Sequence, residues 1–274
     1  MSQIIDLSMP IEPHPRDPSF EHVKFLWHEG GGDHIWRALF FPPQAPLWKR
    51  LKGLWRYMRE RRDANRHSFP DGKFLSNEIY TISVHCGTHL DAPYHFGPVC
   101  AGELARRIDA IPLEWCFGHG VVLDLTHKGR KAAITVSDLQ EALVRAHYEL
   151  QPMDIVLIRT DSDKWWPKPE YFSAHPGVTA EATCWLVEQG IKVVGIDAYG
   201  FDQPFMEMVQ SYLTTKDSRV LWPAHMYGRS REYLHMERLA NLHCLPKSHG
   251  FQVACFPIAI RGAGAAWVRA VAIV

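Results

Sequence analysis

Between residues 120 and 197 the chain alternates short apolar runs with amphipathic stretches. The runs "GVVLDL" (120–125), "DIVLIRT" (154–160) and "KVVGID" (192–197) are rich in β-branched residues and have the length of buried strands. Between them, "TVSDLQEALVRAHYEL" (135–150) and "TAEATCWLVEQG" (179–190) read as helices. Thr135 or Ser137 can cap the first, Thr179 caps the second, and Gly190 stops it. This alternation predicts an α/β fold.

The flanks follow other patterns. "IIDLSMPI" near the start reads as a strand ending in a turn, and "HEGGGDH" (28–34) as a glycine-rich loop suited to flexibility or close backbone approach. "EIYTISVH" (78–85) alternates, with Ile79, Thr81, Ser83 and His85 on one face and His85 ending the strand. "FQVACFPIAI" and "AAWVRAVAIV" read as two closing strands around a Gly262–Gly264 turn. Residues 46–63, "PLWKRLKGLWRYMRERRD", place Leu47, Leu51, Leu54, Trp55 and Met58 at helical spacing among seven cations, a basic amphipathic helix opened by Pro46. The reading favoured for it is packing on the body with a solvated cationic face; a lid or substrate anchor, and membrane contact, are the alternatives. No repeat, low-complexity tract or linker interrupts the chain. The expectation is a single domain over 1–274, a mixed sheet or barrel-like β core with flanking helices, carrying a basic aromatic insertion at about 41–77.

Composition narrows the function classes. Thirty basic and thirty acidic residues leave no net charge, so no overall field recruits nucleic acid or an anionic membrane. The N-terminus lacks the basic and apolar regions of a secretory signal, and no apolar run is long enough to span a bilayer. Six dispersed cysteines without a CxxC pair suit reduced, mostly buried thiols, and a cytoplasmic protein is expected. Cys86 is set apart by lying inside a histidine cluster. Histidine is the outlier in composition, with 16 residues.

Three histidines and an aspartate occur in "HCGTHLDAPYH" (85–95). Gly87 permits a tight turn, Pro93 forbids a regular helix through the stretch, and His85, His89 and Asp91 can converge on one point. Imidazole and carboxylate donors suit zinc, manganese or iron(II), and the oxygens are too few for calcium.

The full string resembles the HxGTHxDxPxH signature of the cyclase and kynurenine-formamidase family of metal-dependent hydrolases. "GIDAYGFDQP" (195–204) resembles the family's GxDxxSxD segment, "HMERLANLHCLP" (235–246) its ExLxNLxxLP segment, and "WVRAVAIV" its closing strand. The resemblance implies a swivelling β/β/α-type fold, a homo-oligomer, and a site for one or two zinc or manganese ions. It carries metal-ligand roles onto His85, His89 and Asp91, and onto His225 and Glu237, which stand twelve residues apart. Asp91 would bridge two metals if two bind. His95 matches the family's acid–base histidine, and its ordinary pKa near ~6.5 suits proton transfer at neutral pH.

Two departures shift the expected chemistry. Gly200 replaces the serine of GxDxxSxD, and no tryptophan stands in "PHPRDPSFEHVKF", where formamidases often carry a proline–tryptophan–proline–glycine element. These features, with the 41–77 insertion, point toward the family's polyketide cyclase branch, as in oxytetracycline-type pathways. The first expectation is therefore a metal-dependent enzyme that activates a carbonyl for cyclisation of a polyketide-like or aromatic compound; the second is hydrolysis of an amide, lactam or lactone. Trp36, Phe40, Phe41, Trp48, Trp55 and Tyr199 could form a flat apolar pocket, and Arg229 and Arg231 could pair with a carboxylate or phenolate. The only partner expected besides further copies of the chain is a small-molecule substrate.

Overall fold

The computed structural model describes residues 3–274. Its longer ladders use strands at Ile4–Asp6 (β1), Phe20–Leu26 (β2), Asn77–Ile82 (β3), His89–Asp91 (β4), Phe117–Asp124 (β5) and Ile155–Arg159 (β6). They continue with Val193–Ile196 (β7), Leu234–Glu237 (β8), His249–Ala254 (β9), Ala265–Trp267 (β10) and Val271–Ile273 (β11). Helices lie at His28–Phe40 (α1), Leu47–Glu60 (α2), Pro93–Phe96 (α3), Val136–Ala146 (α4), Ala180–Glu188 (α5), Phe205–Thr215 (α6) and Pro223–Tyr227 (α7). The chain divides into two compact units, Glu21–Ile82 and the remainder. The stretch expected as an insertion at about 41–77 lies inside the smaller one.

In the larger unit nine strands form one mixed sheet in the order β1-β11-β9-β5-β6-β7-β8-β4-β10. The three β-branched runs are its centre: β5, β6 and β7 are parallel neighbours, with Val121, Val156 and Val194 in register. Their continuous apolar character has a simple cause. Val121, Val156 and Val194 face a core shared with Leu139 and Leu143 of α4 and Leu186 of α5. The alternating Val122, Leu157 and Val193 face a second core with Leu90, Met236, Phe251 and Ala272. Each fully buried side chain of this size contributes about 1.5–3 kcal/mol, so both faces are stabilised and neither tolerates polar alternation. The second core draws on strands from both ends of the sheet, so the sheet curls around it. Thr135 caps α4 in a reciprocal box with Asp138, Thr179 caps α5, and Gly190 follows with φ 86°.

Three expectations are corrected. "AAWVRAVAIV" is two strands, because β10 pairs with β4 while β11 pairs with β1 and β9. The strand at 77–82 ends before His85, which lies in the turn that follows. "HEGGGDH" opens helix α1 instead of forming a loop. The expected close approach is there: a Cβ on Gly31 would stand 2.6 Å from the Leu75 carbonyl oxygen, so the helix face that meets this backbone has no room for side chains.

In the smaller unit β2 pairs with β3 and α2 forms as a helix behind Pro46. Its apolar stripe is not packed away: Leu51 and Trp55 are 60% and 62% exposed, and none of its residues is buried. No helix among the described residues is long and apolar enough to cross a membrane. The six cysteines are free thiols, with Cys86, Cys100, Cys116 and Cys255 buried.

Candidate metal centre and active site

The site is built on the pairing of β4 with β8. Their antiparallel register sets Asp91 opposite His235 and Glu237 opposite His89. Side chains alternate across a strand, so His89, Asp91, His235 and Glu237 share one face while Leu90 and Met236 enter the second core. Four ionisable groups are thus fixed on rigid backbone. His89, Asp91 and His235 are fully buried.

Loops and short helices supply the rest. Gly87, with φ 68°, turns the chain between His85 and β4, and His85 Nδ1 stands 3.2 Å from Asp91 Oδ1. α3, opened by Pro93, brings His95 Nε2 to 3.7 Å from Asp91 Oδ2. α7 brings His225 Nε2 to 4.0 Å from Asp91 Oδ2 and 3.7 Å from Glu237 Oε1. His85, His89, Asp91, His95, His225 and Glu237 therefore converge, although 152 residues separate His85 from Glu237 in a chain of 274.

Hydrogen bonds assign the tautomers. His89 Nδ1 lies 2.9 Å from the Gly87 carbonyl oxygen, which can only accept, so Nδ1 carries a proton and, in the neutral ring a metal requires, Nε2 carries the lone pair. That lone pair is 3.7 Å from Asp91 Oδ1 and 3.5 Å from Glu237 Oε2. His89 Nε2 and Asp91 Oδ1 are buried and have no hydrogen-bond partner among the described residues, since His85 approaches Oδ1 without hydrogen-bonding alignment. Acceptors that face one another in a buried space repel unless a cation lies between them. The donor set fits zinc or manganese.

Further contacts orient His225, Asp91 and Glu237. Asp202 Oδ2 lies 2.5 Å from His225 Nδ1 and orients that ring. His235 donates from Nε2 to Asp91 Oδ2 at 3.0 Å, and its Nδ1 is 3.2 Å from the Tyr233 hydroxyl. Phe201 stacks on His235 at 4.5 Å and donates its backbone N–H to Glu237 Oε1 at 2.8 Å. Burial opposes ionisation of Asp91 and Glu237, yet the surrounding imidazoles hold both carboxyls well below the usual carboxylate range. Burial also works against a charge on His225, but Asp202, Glu237 and Asp91 outweigh it and raise that imidazole to about 9.

His85, Asp91, His95, His225 and Glu237 open onto a cavity of about 500 Å³ that is also lined by His175, Tyr199, Gly200, Phe205 and Trp222. Of the residues expected to bind substrate, Tyr199 is in this lining. Trp36 belongs to the smaller unit, where its indole N–H reaches the Asn65 carbonyl oxygen at 3.2 Å and its ring stacks on Phe40. Arg229 is engaged elsewhere, donating from Nε to the Phe96 carbonyl oxygen, and Arg231 is exposed. The arginine that lines the cavity is Arg238, paired with Asp17 at 2.6 Å and lying 4.3 Å from the Tyr199 ring centre.

Sequence reasoning passed over His235, Asp202, Arg238 and His175. For His235 a signal existed: "LHME" alternates apolar and ionisable residues just as "HLD" does. Asp202 stands in the quoted GIDAYGFDQP segment and Arg238 directly follows Glu237, whereas His175 is brought to the site by long-range folding.

Comparison with known proteins places the chain and its fold. Cyclase-like protein 1 of Arabidopsis thaliana is 26% identical over 213 residues, 75% of this chain and 75% of that protein. Kynurenine formamidase of Bordetella petrii is 32% identical over 157 residues, 56% of this chain and 66% of that enzyme. The solved structure of isatin hydrolase A from Labrenzia aggregata, bound to benzyl benzoate, has the same fold, with a TM-score of 0.67 at 22% identity. That likeness covers 100% of this chain and 94% of the other. The profile of the Cyclase family matches residues 5–203, well over half of the sequence, and the chain belongs to that family.

Proposed function

We propose that the protein is a metal-dependent hydrolase that cleaves the carbonyl–nitrogen bond of a small aromatic amide or lactam. One observation carries this reading: buried, unpartnered acceptors on His89 and Asp91 face each other beside His95, at the wall of an aromatic-lined cavity. His85, His89, Asp91, His225 and Glu237 would hold a divalent zinc or manganese ion. Such an ion supplies Lewis-acid polarisation of a carbonyl oxygen and lowers the pKa of water.

The chain's own groups do the rest. His95 stands against the cavity with its side chain 32% exposed, and Asp91 lies 3.7 Å from its Nε2. Burial pushes its imidazole down, Asp91 offsets this only in part, and His85, His225 and His235 add to it, leaving it at about 4. At neutral pH the ring is uncharged and accepts a proton from an attacking water; once protonated it is acidic enough to pass that proton to the departing nitrogen. Tyr199, Phe205 and Trp222 offer apolar surface for an aromatic ring, and Arg238, held by Asp17, stiffens the wall beneath Tyr199.

Water is favoured over an internal carbon nucleophile because two of the similar proteins, a kynurenine formamidase and an isatin hydrolase, are named for hydrolysis of a carbonyl–nitrogen bond, although others carry the name cyclase. Cyclisation of a polyketide-like compound would use the same metal and the same histidine. Mass spectrometry separates the two: hydrolysis adds the mass of one water, whereas ring closure leaves the mass unchanged or removes one. Turnover of an aromatic amide or lactam that adds water, and that stops on chelation, is the expected result. Closure without added water would overturn the hydrolase reading.

A further inference from the structure

His175 lies in the cavity wall and has no task in the chemistry above. It is 2% exposed, yet the cavity reaches it. Its Nδ1 stands 3.2 Å from the Pro176 carbonyl oxygen. A carbonyl oxygen only accepts, so the ring proton is on Nδ1 and Nε2 carries a lone pair. Among the described residues no donor reaches that nitrogen. Burial holds the imidazole below its ordinary pKa, and the Pro176 carbonyl and the more distant Glu237 and Asp202 do not reverse this, so the ring stays neutral at pH 7.

The lone pair is also uncovered. The position that faces it is Gly200, where a Cβ would stand 3.6 Å from His175 Cε1 and 3.8 Å from Nε2. The next residue, Phe201, donates its backbone N–H to Glu237 Oε1 at 2.8 Å. One short segment therefore fixes a carboxylate of the metal centre and leaves open a buried acceptor in the same cavity.

We propose that His175 Nε2 accepts a hydrogen bond from an N–H of the substrate and so selects amides and lactams over esters and lactones of the same shape. This rests on the hydrolytic reading of the cavity. A lactone presents a ring oxygen where a lactam presents N–H, and two acceptors then face each other in a buried place. A site built to receive a donor rejects the analogue that lacks it.

Oxindole and benzofuranone, a lactam and lactone of one shape, test this in two ways. Rates are compared in the metal-loaded protein, and equilibrium binding is compared in metal-free His95→Ala protein, where turnover is slowest. His175→Phe should lower the lactam-to-lactone ratio, in kcat/KM and in affinity, about 10- to 100-fold. Gly200→Ala, which keeps the histidine and sets a methyl at ordinary contact distance from its ring edge, should lower the ratio in the same direction, and it serves if His175→Phe does not fold. A purely structural His175 would weaken both compounds together and leave the ratio unchanged, which overturns the proposal. Preferential binding of the lactam without turnover of either compound would uphold this inference and overturn the hydrolase reading. Turnover of both with no His175-dependent ratio would do the reverse. Failure to bind either compound overturns both.

Discussion

The Asp202 carboxylate holds His225 from behind: Oδ2 lies 2.5 Å from His225 Nδ1, while Oδ1 accepts the Ala224 backbone N–H at 2.7 Å. The ring's proton is thereby committed to Asp202, and Nε2 is aimed at Asp91 and Glu237. Asp202→Asn keeps the size and loses the anion. Affinity for zinc should fall about 10- to 100-fold, read by competition with a chromophoric chelator. An unchanged affinity would show that His225 needs no such support.

The same pair predicts a pH dependence. His225 is raised from 6.5 to about 9 in the folded, metal-free chain. A folded value above the unfolded one means that the protonated ring stabilises the fold. That stabilisation is complete below about pH 6.5 and is lost as pH rises through about 9. Metal binding needs the neutral ring, so its sign is opposite, and affinity should climb over the same window. Calorimetry at pH 7 in buffers of different ionisation enthalpy should show a proton released on binding, and Asp202→Asn should diminish that release.

His95 and the ligands separate by metal content. His85→Ala and Asp91→Ala should lose both metal and activity. His95→Ala should keep its metal and lose rate by about 10²–10⁴, as expected for a general acid–base. Metal analysis of the three purified variants, with rates, decides it; full metal in all three would refute the ligand set.

His235 should matter to Asp91 more than to the fold as a whole. Replacing it with Phe removes the 3.0 Å hydrogen bond to a fully buried carboxylate. The metal-free protein should lose about 1–3 kcal/mol in urea denaturation, and metal affinity should fall as Asp91 loses its orientation.

Asp17 and Arg238 form a buried pair, with side chains only 2% and 5% exposed. Removing one partner strands the other, and Asp17→Ala should cost about 3–5 kcal/mol in denaturant unfolding at pH 7. Burial alone would raise the Asp17 carboxyl, but Arg238 and Ser19 hold it below its ordinary value. Its contribution is therefore present above about pH 4 and lost as pH falls through the lowered value, so Asp17→Asn should flatten the acid limb of stability.

Local chemistry was legible wherever neighbours in sequence are neighbours in space. The runs at 120–125, 154–160 and 192–197 announced their strands because burial on both faces demands continuous apolar residues. Thr135 and Thr179 announced their helices because a cap bonds only three residues ahead. The turn through Gly87 likewise made the approach of His85, His89 and Asp91 readable. His225 and Glu237 were reachable only through resemblance to a family, since nothing within a few residues of either tells it from a surface group.

Tertiary structure decided the rest. Pairing of β4 with β8 places His235 on Asp91 across 144 residues of chain, and no local pattern encodes which strands become neighbours. The arginines nearest His225 in sequence point elsewhere, while Arg238, whose partner Asp17 lies 221 residues away, closes the wall. Sequence determined which segments would be strand, helix or turn, through short-range sterics and the period of burial. Which donors face one another was left to packing, because hydrophobic contact carries no direction and the sheet's register alone selects the partners.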